Sequence, residues 1–227
     1  MAKINRIGNK QTWPMKIGFH RKKKIQKWNF IVQDEYFHKA KKAWFRARSI
    51  YKLLEIQQRF DIIKPDSHVI DIWAAPWSFL QAIKDIVSKE TLIVWVDIKD
   101  IVPINNYPNI KTIVCDIFDY KKLSQELEKI LPKDYTFDLI TSDIAPNTTG
   151  IFDVDQYASV ELNIAICNFS DTFLKIGWNM ILKVFKWEDF NDIIMQVKKR
   201  FVDMKTYKPL ACRDSSHEEY IICLGKK

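Results

Sequence analysis

The sequence predicts an α/β fold built on a doubly wound, mostly parallel sheet of seven strands. Three observations predict it. From residue 68 onward, short apolar runs of strand length alternate with segments of helical periodicity. Each of the first four strand-like runs ends at or next to an aspartate: Asp71, Asp97, Asp116 and Asp143. A chain of 227 residues suits one α/β domain with an extension.

The elements follow in order. Residues 1–33 contain no acid, are rich in lysine and lack periodicity, which predicts a flexible basic arm ahead of a domain over 34–227. From Asp34 to about Arg48 the pattern is helical and basic. Ser49 is placed to cap a second helix that turns Ile50, Leu53, Leu54 and Phe60 toward the core. Lys64–Ser67 reads as a turn. HVIDI (68–72) is the first buried strand and SFLQAIKDIV the next helix. TLIVWVDI and 110–115 are the second and third strands, followed by a helix through KLSQELEKIL. FDLITSD (137–143) is the fourth strand. Leu162, Ile166, Phe169 and Phe173 recur at helical spacing and predict a long helix over 154–175. NMILKVF (179–185) is the fifth strand, 188–200 a helix, and 201–207 and EYIICLG close the sheet.

Charge is unevenly placed. Residues 1–52 hold 15 Lys and Arg against 2 acids, whereas the whole chain is only +8. The remainder is therefore net negative, and the positive charge is a local device that suits a polyanionic partner. A solubilising tail or a membrane-surface arm would show the same composition. The chain holds no run of 18 apolar residues and begins without an apolar signal-peptide core, so a cytoplasmic protein is expected. Cys115, Cys167, Cys212 and Cys223 form no CxxC and no Cys/His ligand spacing. They read as buried thiols, and no metal site is expected.

In doubly wound sheets ligands bind beyond the carboxyl ends of the strands. That rule selects Asp71–Ser78, Asp97, Asp116, Asp143–Pro146 and Lys183–Trp187. One strand-end aspartate is ordinarily a cap or turn former. Four along one edge point to a ligand with several donors. Asp97 lies 20 residues after Trp77, the spacing at which an acid meets a ribose diol, so an adenosine compound is expected. No GxxxxGK[ST] motif occurs, which argues against a P-loop triphosphate site.

Over about residues 34–225 the chain resembles the FtsJ family of RNA ribose 2′-O-methyltransferases. The segments that carry the resemblance are KKAWFRARSIYKLLEI, DIWAAPWSFLQ, SDIAPNTTGIFDVDQ, LKVFKWEDF and SSHEEYIICLG. It implies a Rossmann-like methyltransferase fold and S-adenosyl-L-methionine as cofactor. It also implies a uridine of large-subunit (23S) ribosomal RNA as substrate and a monomeric enzyme. The family's Lys-Asp-Lys-Glu tetrad falls on Lys52, Asp143, Lys183 and Glu218. Its cofactor residues fall on Trp77, Phe79, Asp97, Asp116 and Asp143, with Asp71 and Trp73 at the same loop.

The chemistry suits those residue types. A ribose hydroxyl must lose its proton as it attacks a sulfonium methyl. A free lysine has a pKa near 10.4, so only about one in 2,500 is neutral at pH 7. Burial in a strand and a neighbouring Lys52 are expected to favour a neutral Lys183, the candidate base. Asp143 would orient it, while Glu218 and Lys52 position the ribose. Arg46, Arg48, Lys39, Lys41 and Lys42 are candidate RNA phosphate contacts. His217 reads as a surface neighbour of Glu218. Tyr51 would either stack on a base or sit half-buried.

The tryptophans depart from the family pattern. The chain has 8 Trp and only 5 Gly, against a usual glycine share of about 7%. Trp44, Trp73, Trp77, Trp95, Trp178 and Trp187 stand where the family commonly has glycine. An indole at Trp73 or Trp77 would occupy cofactor space, and Trp178 after Gly177 would crowd a tight turn. Reading UGA as Trp in a lineage that decodes it as Gly would produce this pattern. If Trp73 and Trp77 are genuine, a non-enzymatic RNA-binding or ribosome-assembly protein is the alternative. A tRNA methyltransferase of the same family is the nearer one.

Overall fold

The computed structural model describes residues 35–42, 45, 47–72, 78–99, 107–146, 149–186, 189–213 and 216–227. These belong to one unit, Ile31–Lys227. The expected basic arm lies outside the described residues, as do Trp44, Arg46, Trp73, Trp77, Trp187 and the Lys39 side chain.

The elements are α1 (Glu35–Lys42), α2 (Ile50–Phe60), β1 (Val69–Ile72), α3 (Ser78–Ile86), β2 (Ile93–Asp97), β3 (Ile110–Val114) and α4 (Tyr120–Ile130). They continue as β4 (Phe137–Ser142), α5 (Phe152–Phe173), β5 (Leu174–Phe185), α6 (Phe190–Arg200), β6 (Phe201–Tyr207) and β7 (Glu218–Lys226). The seven strands form one sheet in the order β3-β2-β1-β4-β5-β7-β6. β1 through β5 pair in parallel, and β7 runs antiparallel to both neighbours. The doubly wound sheet is therefore as expected.

Alternation sorts side chains to the two faces. Ile70, Ile72, Ile140, Leu182, Val184, Ile221 and Cys223 join Leu162, Ile166 and Phe169 of α5 in one buried core. Each such fully buried aliphatic contributes roughly 1.5–3 kcal/mol. The alternate residues Asp71, Thr141, Lys183 and Tyr220 take the opposite face. There α2 buries Leu53 and Ile56, and α3 buries Phe79. That face carries the site.

Several local expectations are corrected. α1 ends at Lys42 rather than near Arg48. The Phe45 amide returns to the Ala40 carbonyl at 2.8 Å, a six-residue closure typical of helix ends. Ser49 precedes α2 but has helical backbone angles and makes no side-chain cap bond. The first amides of α2 are instead served by a backbone turn, Tyr51 N–H to Arg48 and Lys52 N–H to Ser49. Phe60 is only half-buried, edge-on to Tyr207 at 5.7 Å. β5 starts at Leu174, five residues earlier than expected, because Leu174 pairs with Phe137 across a register irregularity. Gly177, with φ +84°, absorbs the tight backbone there. Trp178 beside it is half-buried against the core rather than obstructing the turn. Trp95 is fully buried in β2, opposite Asp71 in the ladder.

Candidate active site

Strand register assembles the site. Lys183 of β5 faces Tyr220 of β7 directly, and Phe185 faces Glu218. On the other side, Leu182 pairs with Ser142, the last residue of β4, so Asp143 follows beside Lys183. Lys52 enters from α2. Four segments distant in sequence thus converge at the carboxyl end of the parallel strands.

The contacts form one chain. Lys183 Nζ donates to the Asp143 carbonyl and lies 3.2 Å from Asp143 Oδ1. The Tyr220 hydroxyl is 2.7 Å from Asp143 Oδ1 and 2.9 Å from Glu218 Oε1. Its single proton serves one acceptor at a time. Glu218 Oε1 also accepts from Lys52 Nζ. The tetrad expected from sequence is therefore brought together, with Tyr220 as its connecting member. Tyr220 was legible in principle, since two residues from Glu218 on a strand means the same face. Phe79, expected among the cofactor residues, is fully buried and stacks on Tyr220 at 6.1 Å.

The electrostatics follow from this packing. Burial by itself would raise the Asp143 carboxyl. The Lys183 and Lys52 ammoniums and the Tyr220 hydroxyl outweigh it and hold Asp143 below its ordinary value. Burial would likewise pull Lys52 down, yet Asp143 and Glu218 keep it above the usual lysine value. Burial, with Asp143 and Glu218 beside it, pushes the Tyr220 phenol well up, so it stays a neutral donor.

Toward β1 and β2 the aspartates line the same edge. Asp71 is fully buried and accepts from Thr141 Oγ1 at 2.6 Å, while its Oδ2 has no hydrogen-bond partner among the described residues. Burial raises its carboxyl to about 7, and the Asp143 and Asp97 charges add to that rise. Asp97 ends β2, is buried, and accepts from the Lys99 amide at 2.9 Å. Asp116 is exposed and accepts from the Phe118 amide at 3.0 Å. The last two therefore shape turns, whatever else they bind. Asp155 accepts from the Thr149 and Gly150 amides and the Thr149 hydroxyl, which ties the loop after Asp143 to α5.

A cleft of about 420 Å³ opens beside the network, lined by Arg48, Ser49, Lys52, Asp143, Arg213, Ser216 and Glu218. Arg48, expected as a phosphate contact, reaches this cleft and donates to the Ala211 carbonyl. Lys41 and Lys42 are exposed on α1. Tyr51 is buried against Tyr36 and Phe45, so it does not offer a platform for a base. His217 is exposed as expected. Glu55, missed in the sequence, is buried and accepts from the Leu210 and Ala211 amides and the Tyr207 hydroxyl. It braces the segment that carries Arg213 and leads to Glu218. No local signal marks it, because its partners lie over 150 residues away.

Residues 45–226 match the model of the FtsJ-like methyltransferase family. The chain belongs to this family. Among FtsJ-like relatives, the Desulfatibacillum aliphaticivorans protein named ribosomal RNA large subunit methyltransferase E is 37% identical over 199 residues. The match covers 87% of this chain and 92% of that protein. The protein of the same name from Methanosphaera stadtmanae is 32% identical over 206 residues, covering 88% and 97%. Among solved structures, a ribosomal RNA methyltransferase from Plasmodium falciparum superposes with TM-score 0.69 at 28% identity, covering 80% of this chain and 98% of its own. Aeropyrum pernix fibrillarin, solved with S-adenosyl-L-methionine, gives TM-score 0.55 at 12% identity, a likeness of fold alone, over 78% of this chain and 76% of that one. The candidate site lies beyond the carboxyl ends of the parallel strands, where doubly wound folds bind ligands.

Proposed function

We propose that this chain methylates a ribose 2′-hydroxyl of a uridine in large-subunit ribosomal RNA, with Lys183 as the base. One observation carries the reading. Lys183 lies 3.2 Å from Asp143 Oδ1 and opposite Tyr220 in the ladder, and Asp143 lines a cleft together with Lys52 and Glu218. The names of the relatives give the RNA class.

S-adenosyl-L-methionine suits the residues present. Its ribose diol, amino groups and sulfonium are donors or cations, and the edge offers Asp71, Asp97, Asp116 and Asp143 as acceptors. The orphaned Asp71 Oδ2 marks an acceptor position still to be filled. When bound, the cofactor supplies an electrophilic methyl on a positively charged sulfur.

The chain's own residues do the rest. In its neutral form, reached by first releasing a proton to solvent, Lys183 Nζ takes the proton of the 2′-hydroxyl. The resulting ammonium lies against the Asp143 carbonyl and carboxylate, which stabilise it as it forms. The Lys52–Glu218 pair sets the position of the ribose, and a fixed 2′-oxygen supplies much of the rate. The basic arm over 1–33, with Arg46, Lys39, Lys41 and Lys42, adds contacts to the RNA backbone. The enzyme would act as a monomer.

The test is methyl transfer from labelled S-adenosylmethionine to undermethylated large subunits and, separately, to bulk tRNA. Label should appear in the subunits as 2′-O-methyluridine. Lys183→Ala should lower kcat at least about 100-fold while cofactor affinity stays within about threefold. Label in tRNA alone, or full activity of Lys183→Ala, would sink the proposal.

A further inference from the structure

The cleft lining contains two chemically distinct groups of residues. One holds the Lys52, Asp143 and Glu218 network. The other is formed by Arg48 and Ser49 at the start of α2, and by Arg213 and Ser216 from the loop between β6 and β7. Neither the tetrad nor the cofactor edge uses Arg213 or Ser216. The cleft lining counts three cations, Arg48, Lys52 and Arg213, against two acids, Asp143 and Glu218. Arg48 and Arg213 are close enough that, after burial, the Arg213 charge is the next cause pushing the Arg48 guanidinium down. An anion between them would relieve that repulsion.

The Arg48 side chain and the Arg213 backbone are held in place. The Arg48 guanidinium donates to the Ala211 carbonyl, two residues before Arg213. The Ser216 amide bonds to the Arg213 carbonyl at 3.0 Å, and the Ser216 hydroxyl accepts from the Glu218 amide at 3.2 Å. The Glu55 carboxylate pins Leu210 and Ala211 to α2. The loop that carries Arg213 is thus fixed to the helix that carries Lys52.

We propose that Arg48 and Arg213, with the Ser49 and Ser216 hydroxyls beside them, bind the phosphodiester on the 3′ side of the acceptor ribose. The inference rests on the RNA ribose reading above. In RNA the 3′-phosphate is attached at the carbon next to the one bearing the 2′-hydroxyl. Gripping that phosphate in the cleft holds the neighbouring 2′-oxygen close to Asp143, which lines the same cleft. Guanidiniums suit the task because their forked donors match phosphate oxygens. Arg213 is then a positioning residue for the acceptor.

The test measures RNA binding separately from methyl transfer. Filter retention of a large-subunit rRNA transcript is measured across salt concentrations for wild type, Arg213→Ala and Arg213→Lys. Arg213→Ala should reduce the slope of log affinity against log salt by about one, and Arg213→Lys should restore it. With undermethylated subunits, Arg213→Ala should raise KM for the subunits about tenfold with KM for S-adenosylmethionine unchanged. An oligonucleotide spanning the mapped acceptor is then made with one neutral methylphosphonate on its 3′ side. Wild type should lose about tenfold in affinity for it, and Arg213→Ala should lose nothing further. An unchanged salt slope, or an equal loss in both proteins, would overturn the site. Absence of methyl transfer by wild type would instead overturn the function, since the salt-slope arm does not need catalysis.

Discussion

The Tyr220 hydroxyl lies 2.7 Å from Asp143 Oδ1, across 77 residues of sequence. That bond joins the two halves of the site. On one side Asp143 holds Lys183, and on the other Glu218, 2.9 Å from the same hydroxyl, holds Lys52.

Tyr220→Phe keeps the ring that stacks on Phe79 and removes only the hydroxyl. Asp143 then loses one of the groups that hold its carboxyl low. Its pKa rises, so the acidic limb of the kcat/KM profile should move to higher pH. Activity at neutral pH should fall about tenfold. A profile identical to wild type would show that the bond has no part in the chemistry.

Lys52 and Glu218 form a largely buried ion pair. Removing either partner strands the other charge, which typically costs about 3–5 kcal/mol. Lys52→Met and Glu218→Gln should each destabilise the protein in urea unfolding. The double variant should lose less than the sum of the two, and strict additivity would contradict direct pairing.

Asp71 makes stability depend on pH. Its folded carboxyl is raised to about 7, above its ordinary value near 3.8. Between those values the folded state binds the extra proton, so stability should fall as pH rises from 4 to 7. The fall is at most about 4 kcal/mol at 1.36 kcal/mol per unit. Asp71→Asn should flatten the curve in that window. Unfolding at pH 5 and pH 7.5 for both proteins decides it.

Glu55→Gln replaces an acceptor-only carboxylate facing three donors with a group that is itself half donor. Stability should drop by about 1–3 kcal/mol. Hydrogen exchange at Leu210 and Ala211 should accelerate selectively, while the β1–β4 amides stay protected. Uniform acceleration would mean global destabilisation instead of a released loop.

The tryptophan reading gives a separate outcome. If UGA is decoded as Gly in the source, a mass spectrum of the natural protein should place glycine at positions 73 and 77. Trp73→Gly with Trp77→Gly should then gain S-adenosylmethionine affinity by calorimetry over the sequence as written. Tryptophan in those natural peptides would end the idea.

The sequence by itself determined the architecture. Strand and helix periods are local signals, and β1, β2, β4, β5 and β7 each carry their own apolar run. The resemblance to FtsJ motifs pointed to Lys52, Asp143, Lys183 and Glu218 as candidates, and the strand ends pointed to the aspartate row. The sequence did not determine where β5 begins, because a register irregularity opposite Phe137 depends on the partner strand. It misjudged Ser49 and left Tyr51 open between stacking and burial, because what packs around them sets their roles. Only the tertiary structure decided that Tyr220 links Asp143 to Glu218, that Glu55 braces Ala211, and that Arg213 meets Arg48. Tyr220 with Asp143, Glu55 with Ala211 and Arg48 with Arg213 are 77 to 165 positions apart, and no local pattern encodes those pairings. The chain closes the sheet by running β7 antiparallel between β5 and β6, and that register turns scattered charges into one site.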